Sequence, residues 1–386
     1  MLAGGRIPGY SEHTGKMSAK EYVDAVVAGR LKDPALNAHL KAGYTVKSVH
    51  YGYIEDQESL GYATHLVMLN PSFRQGKKFV SAQQISRTVR KCRVCAIQYE
   101  MQKISGWADF CEQVEYFIDT ADAYDSHIVV FPELFIAQML CTFPRDLTFL
   151  AMVRKLADLH ADYVQFFTQM AKSRDLFIVA GSVPVLQEDG RIKNVAHLFS
   201  PAGQYFTQDK LHLTPAEKEH WGMSAGDGLA VFDTIYGRIG ILICYDIEFP
   251  ELSRILVNAG VDMIVVPFAT DERKAYQRVR FCAQARSVEN IIYTVLSGNV
   301  GTLPRSPAMG INFGQAAILT PSDFAFPLYS IAAEGVVNTQ TVVVSDLDIG
   351  ALEIEREIGN VRPLLDRRTD LYNLVSHVKV QRIRVM

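Results

Sequence analysis

The apolar run Ile239-Gly240-Ile241-Leu242-Ile243 stops at Cys244 and passes without a spacer into Tyr245-Asp246-Ile247-Glu248-Phe249-Pro250-Glu251. A thiol placed where a buried strand gives way to a turn and then a helix sits on a sharp corner, the geometry that presents a nucleophile to a cleft. Two other fragments share this grammar. Ser126-His127-Ile128-Val129-Val130-Phe131 reads as a buried strand with Pro132 and Glu133 at its end, and Gln208-Asp209-Lys210-Leu211-His212 places Lys210 beside a polar loop broken by Pro215. Ligands of open α/β sheets bind outside the carboxyl ends of strands, so a carboxylate, an ammonium and a thiol at three such ends can converge although they are far apart in sequence.

Together the three groups support one chemistry. An ordinary cysteine has a pKa of about 8.5 and is only a few per cent thiolate at neutral pH. Glu133 is placed to take its proton. Attack on an amide or nitrile carbon then puts negative charge on the substrate's oxygen or nitrogen, which Lys210 and the backbone N–H of Tyr245 would stabilise. Each residue alone carries little weight: a cysteine on an apolar strand is most often a small buried hydrophobe, a glutamate after proline a helix-start carboxylate, a lysine a solvated charge. Their joint pattern is what points to catalysis.

That pattern resembles the nitrilase superfamily, the carbon-nitrogen hydrolases, whose Glu-Lys-Cys triad matches Glu133 in Phe-Pro-Glu-Leu, Lys210 in Asp-Lys-Leu-His-Leu and Cys244 in Cys-Tyr-Asp-Ile-Glu-Phe-Pro-Glu. Gly181-Ser182 after Ile178-Val179-Ala180 and the segment Arg280 to Asn290 resemble the family's flanking elements, and the likeness covers about residues 90 to 375. The resemblance implies a four-layer αββα sandwich of α/β class, an oxyanion hole at Lys210 and the Tyr245 N–H, and a second glutamate after the lysine. Glu217 and Glu219 are the candidates for that glutamate, with Glu217 favoured because it follows Pro215 closely. It also implies a homodimer or higher homo-oligomer, formed through outer helices and the segment after Asp348. Asp246, Glu251 and Arg254 are read as ion-pairing supports of the turn.

The other cysteines read as inert. Cys92 and Cys95 have the spacing of a redox or zinc pair, but they fall in a strand, where residues three apart face opposite sides. No second Cys-x-x-Cys or His-x-x-x-His completes a zinc site, so neither metal nor cofactor is expected. A redox-sensor role would need a resolving thiol, for which Cys282 is the downstream candidate.

A net charge of −3 gives no reason to expect nucleic acid or an anionic membrane, and the 48% apolar content is that of an ordinary globular chain. Six cysteines with one needed as a free thiol favour a reducing compartment. With neither an 18-residue apolar run nor a signal peptide, a soluble cytoplasmic protein is expected.

Four regions are expected: a partial domain over 1–72, a breaker-rich linker over 73–90, a hydrolase domain over 91–375 and a tail over 376–386. Within the hydrolase domain the patterning predicts helices over 104–124, 145–174, 251–259 and 273–289. Strands are predicted over 94–99, 127–131, 176–181 and 262–267 and near 230, 239, 291, 316 and 342, with a hairpin over 195–207. Over 1–72, the apolar spacing after Ser18 and the strand-like run ending at Asn70 resemble the C-terminal half of a Gcn5-related N-acetyltransferase domain. The half carrying the coenzyme A loop has no counterpart, and Gly4-Gly5 is too weak a phosphate loop to replace it, so acetyl transfer is not expected.

The activity expected is thiol-dependent hydrolysis of a non-peptide carbon-nitrogen bond in a small-molecule substrate, an amide or N-carbamoyl amine before a nitrile. Deacylation of a peptide or protein and a catalytically silent binding scaffold are the alternatives. Selectivity is assigned to pocket side chains, with Tyr236, Phe249, Thr270, Arg273 and Phe313 as candidates.

Overall fold

The computed structural model describes residues 2–52, 56–68, 90–304, 306 and 308–385. The chain divides into two compact units, Met1–Ser86 and Arg87–Met386. The segment expected to be a linker lies almost wholly outside the described residues.

In the first unit, β1 (Leu2–Arg6), α1 (Ala19–Val27), α2 (Pro34–Lys41), β2 (Thr45–Tyr51) and β3 (Tyr62–Val67) form an antiparallel sheet in the order β1-β3-β2 with two helices. The helix predicted after Ser18 is present, and its first turn is closed reciprocally: Ser18 Oγ accepts from the Glu21 N–H while the Glu21 carboxylate accepts from the Ser18 N–H. Tyr22, Val23, Val26, Leu36 and Leu66 form its core.

The second unit begins with β4 (Lys91–Glu100), α3 (Trp107–Ala123), β5 (Ile128–Val130), α4 (Phe149–Asp158), α5 (His160–Ser173), β6 (Phe177–Leu186), β7 (Ile192–Phe199), β8 (Tyr205–Asp209), α6 (Pro215–Glu219) and β9 (Met223–Ser224). It continues with β10 (Gly228–Thr234), β11 (Gly237–Ile241), α7 (Pro250–Asn258), β12 (Met263–Phe268), α8 (Arg273–Asn290) and β13 (Tyr293–Thr302). The remainder comprises β14 (Ile311–Asn312), β15 (Ala317–Leu319), β16 (Ile331–Glu334), β17 (Thr341–Asp348), α9 (Ile349–Ile358) and β18 (Lys379–Arg384).

Ten strands run in the order β18-β10-β11-β12-β13-β4-β5-β6-β7-β8. β13 serves both halves: it pairs in parallel with β12 over Tyr293–Gly298 and in parallel with β4 over Gly298–Val300. The halves fold face to face, as strand alternation shows. Cys92, Val94 and Ala96 of β4 join a core with β10 to β13, whereas Cys95, Ile97 and Tyr99 of the same strand pack with Phe110, Val114 and Phe117 of α3. Cys92 and Cys95 therefore lie in different cores and cannot pair. With α3 and α5 outside one half and α7 and α8 outside the other, this is the α/β sandwich expected of the nitrilase type.

The single helix predicted over 145–174 is two. α4 starts on a Thr148 cap and stops at Asp158, and Leu159 turns the chain so that His160 reaches His197 of β7, with ring nitrogens 2.9 Å apart. Apolar periodicity continues through the break, which is why the sequence pattern does not reveal it. Lys379–Arg384, in the segment set apart as a tail, pairs in parallel with β10.

Three residues at the mouth of the sandwich lie in the left-handed region: Leu134 (φ 49°), Gly181 (φ 61°) and Cys244 (φ 48°). At Gly181 an added Cβ would stand 1.8 Å from the Pro132 carbonyl oxygen, so β6 can pass beneath Glu133 only without a side chain there. Gly181→Ala is expected to destabilise the fold by about 1–3 kcal/mol. Urea unfolding checks this, and an unchanged midpoint would show that the two strands separate freely.

Candidate active site

Each expected site residue is held by the strand end that precedes it. Glu133 lies beyond β5, where the Leu134 N–H donates to Ser182 and the Glu133 carbonyl accepts from Asn299 Nδ2 at 2.8 Å. Lys210 follows directly on β8, its own N–H bonded to the Asn194 carbonyl. Cys244 caps the run after β11, and its strained left-handed backbone turns the side chain out of the strand direction.

The structure brings all of them together. Lys210 Nζ, on a side chain 1% exposed, donates to Glu133 Oε1 at 2.7 Å and to both Glu217 oxygens at 2.8 Å. Glu217 is buried while Glu219 is exposed, so the geometry favours Glu217 of the two candidates. A local motif fixes it there. Thr214-Pro215-Ala216-Glu217 is a capping box in which Glu217 Oε2 accepts from the Thr214 N–H, and the same carboxylate then faces the lysine. That Thr-x-x-Glu signature is readable from the sequence and is a better reason for choosing Glu217 than the proline.

Sequence reasoning did not find two partners of Glu133. Asn194 Nδ2 donates to Glu133 Oε1 at 2.9 Å and to Glu217 Oε1 at 3.0 Å, tying the two carboxylates together. The Ala269 N–H, just past β12, donates to Glu133 Oε2 at 3.0 Å, and the Ala269 carbonyl accepts from Cys244 Sγ at 3.7 Å. Ala269 thus joins Glu133 to the thiol through its backbone, which no side-chain motif announces. Asn194 sits inside an unremarkable apolar strand.

Asp246 supports the turn, though not through an ion pair with Arg254. Its buried carboxylate accepts from the Leu211 and His212 N–H groups and meets His212 Nδ1 at 3.0 Å, binding the thiol corner to the lysine strand. Arg254 donates to the Glu289 carbonyl, and Glu251 is exposed with no ion pair among the described residues.

Electrostatics sets the two glutamates apart. Burial, reinforced by the charge on Glu217, pushes Glu133 up against the pull of Lys210. Burial acts the same way on Glu217, but there Lys210 and the Thr214 and Asn194 donors win and hold it below the ordinary carboxylate range. Burial works against the Lys210 ammonium, yet Glu133 and Glu217 overcome it and lift its pKa well above the ordinary value. Burial and the neighbouring Glu133 charge push the Cys244 thiol well up despite Lys210. Glu133 and Cys244 are thus both shifted toward keeping a proton, while Lys210 and Glu217 are both shifted toward staying charged.

A cavity of about 570 Å³ opens onto these residues, lined further by Trp221, Tyr245, Glu248, Thr270, Arg278 and Met309. Of the pocket candidates named from the sequence, Thr270 lines it and the others do not: Tyr236 stacks on His127, Phe249 on His212, and Phe313 packs by Tyr276. Arg273 starts α8 without entering the lining. No group of three potential metal ligands occurs among the described residues. Nor, among them, is any helix long and apolar enough to cross a membrane.

Residues 93–353 match the carbon-nitrogen hydrolase family. The chain belongs to that family. It is 41% identical over 377 residues to the probable hydrolase YhcX of Bacillus subtilis, covering 97% of this chain and 72% of that protein. It is 29% identical over 219 residues to the omega-amidase NIT2-A of Xenopus laevis, covering 54% of this chain and 74% of that one. A crystal structure of a variant of the Nesterenkonia sp. AN1 amidase shares the fold at 20% identity and a TM-score of 0.56, over 72% of this chain and 95% of that one. In it the acetamide moiety of fluoroacetamide is covalently added at the active site cysteine. This carbon-nitrogen hydrolase is accordingly an enzyme of carbon–nitrogen bond cleavage.

Proposed function

We propose that the enzyme hydrolyses a small-molecule amide or N-carbamoyl amine, rather than a peptide bond, through a thioester on Cys244. The observation that carries this reading is the buried cluster in which Lys210 binds both Glu133 and Glu217 while the Ala269 backbone links Glu133 to the thiol. Glu133 Oε1 already accepts from Lys210 and Asn194, so Oε2 is the oxygen with capacity left for the thiol proton. The thiolate attacks the carbonyl carbon, and charge on the carbonyl oxygen is met by Lys210 and the Tyr245 N–H. The proton held by Glu133 passes to the departing nitrogen, which leaves as ammonia or an amine. Water, deprotonated by Glu133, then opens the thioester to the carboxylic acid, and Cys244 recovers its proton. Glu217, kept ionised by Lys210 and Thr214, fixes the lysine throughout.

The amidase and omega-amidase relatives support amides as the substrate class, and the cysteine adduct in the Nesterenkonia amidase supports Cys244 as nucleophile. Self-association through the region after Asp348 belongs to the same reading, supported by the exposed Ile358, Val361, Leu371 and Val375. So does the acetyltransferase-like character of residues 1–72, supported by their antiparallel sheet and two helices and assigned no chemistry.

The test is intact mass after acid quench with small amides, N-carbamoyl compounds and nitriles, with Cys244→Ala alongside. The expected result is ammonia or amine release with an acyl mass increment on the wild type, and neither with the variant. Release that persists in Cys244→Ala would sink the mechanism.

A further inference from the structure

The charges lining the cavity point to the kind of substrate it takes. Among the described residues, its wall carries the carboxylates of Glu133, Glu217, Glu248 and Asp271 against the cations of Lys210 and Arg278. The first two carboxylates are committed to Lys210, Asn194, Ala269 and Thr214. Glu248 is not. It closes the 3-10 turn Cys244–Glu248 that starts at the thiol, and its side chain is only 17% exposed. Among the described residues its carboxylate is met by the Arg278 guanidinium alone. Its one ion pair there, 3.5 Å to Arg278 Nε, is to a side chain 59% exposed.

A half-buried carboxylate retains lone pairs that a ligand can fill, and a charged group held out of water is a strong anchor. Arg278, mostly in solvent, is the weaker member of the pair and can turn outward at little cost. The surplus of negative charge also concentrates cations in the cavity and repels anions. Trp221, Ala275, Val279, Met309 and Ile311 supply an apolar wall that suits a methylene chain.

We infer that the enzyme selects amides or N-carbamoyl amines whose far end carries an ammonium or guanidinium group, and that Glu248 is the residue that recognises it. This rests on the amide hydrolysis proposed above and adds to it the charge of the substrate.

The test uses three amides of matched length on the full chain: ε-aminocaproamide, caproamide and adipamic acid. The wild type is expected to show kcat/KM falling from the ammonium to the neutral to the carboxylate compound, with the first step on the order of tenfold to a hundredfold. Glu248→Gln is expected to collapse that step, chiefly through KM for the ammonium compound. Arg278→Gln is expected to preserve or widen it. A preference for the carboxylate compound that disappears in Arg278→Gln would overturn the inference in favour of an anionic substrate, and an ammonium preference untouched by Glu248→Gln would overturn the assignment of Glu248. The same compounds titrated calorimetrically into Cys244→Ala read the preference without turnover. Failure of hydrolysis would therefore count against the proposed function, while the binding order alone would still decide this one.

Discussion

Lys210→Met is expected to lower the stability of the folded protein by about 3–5 kcal/mol, the usual cost of stripping buried charges of their counterion. It should also cut kcat by at least 10²–10³-fold, the order of loss for one oxyanion donor. The stability effect is large because Lys210 serves two buried carboxylates at once, and methionine fills the volume while leaving Glu133 and Glu217 facing each other. The pH dependence follows from the directions of the shifts. Lys210 is held well above the ordinary lysine value, so its stabilisation is complete at neutral pH and lost only as pH rises through that raised value. Glu217 is held low, so its contribution is present above the ordinary carboxylate pKa of about 4.3 and lost as pH falls through its folded value. Without the lysine, both carboxylates keep a proton to higher pH. The deficit of the variant should therefore be greatest at neutral pH and shrink at about pH 5, where protonation removes the repulsion. Urea unfolding of both proteins at the two pH values checks this. Equal deficits at both would mean that the loss is one of packing alone.

Glu133→Gln is expected to reduce kcat/KM by roughly 10²–10⁴-fold, the range for removal of a positioned general base. The geometry adds a second cost. Glu133 accepts from Lys210 and Asn194 on one oxygen and from the Ala269 N–H on the other, whereas an amide has one acceptor oxygen and turns its NH2 toward a donor on the other side. The pH profile distinguishes base from brace. In the wild type the carboxylate must be ionised in the free enzyme to take the thiol proton, so kcat/KM should rise with pH along a limb displaced upward from the ordinary carboxylate value of about 4.3. In the variant that limb should vanish. If it persisted at the same position, the titrating group would be another residue, and Glu133 would be a structural member of the cluster.

The members of this site were legible before any coordinates because they are reactive residue types at strand ends. Cys244 after Ile239–Ile243, Glu133 after the β5 run and Lys210 before a proline-broken loop each announce themselves by a reactive group where apolar patterning stops. The opposite facing of Cys92 and Cys95 was legible for the same reason, since the two-residue repeat of a strand fixes which side each thiol takes. Which of the candidates Tyr236, Phe249, Thr270, Arg273 and Phe313 reach the pocket was not legible, because nearness in sequence to the corner does not specify direction; the Tyr236 and Phe249 rings stack on histidines instead.

What the sequence by itself determined is the inventory: the alternation of strands and helices, the thiol at a strand end with a glutamate and a lysine at two others, and the capping box that presents Glu217. What only the tertiary structure decided is how they are wired. Asn194 binds two carboxylates that are 61 and 23 residues away from it, and Ala269 joins Glu133 to the thiol through backbone groups. Glu248 became a candidate for substrate recognition only once its carboxylate was seen to be half-buried in the cavity with a single exposed partner. Local patterning follows from the side chains of one segment. Burial, charge balance and hydrogen-bond satisfaction are properties of the neighbours that folding brings in from elsewhere, and those neighbours set the basicity of Glu133 and the charge left open at Glu248.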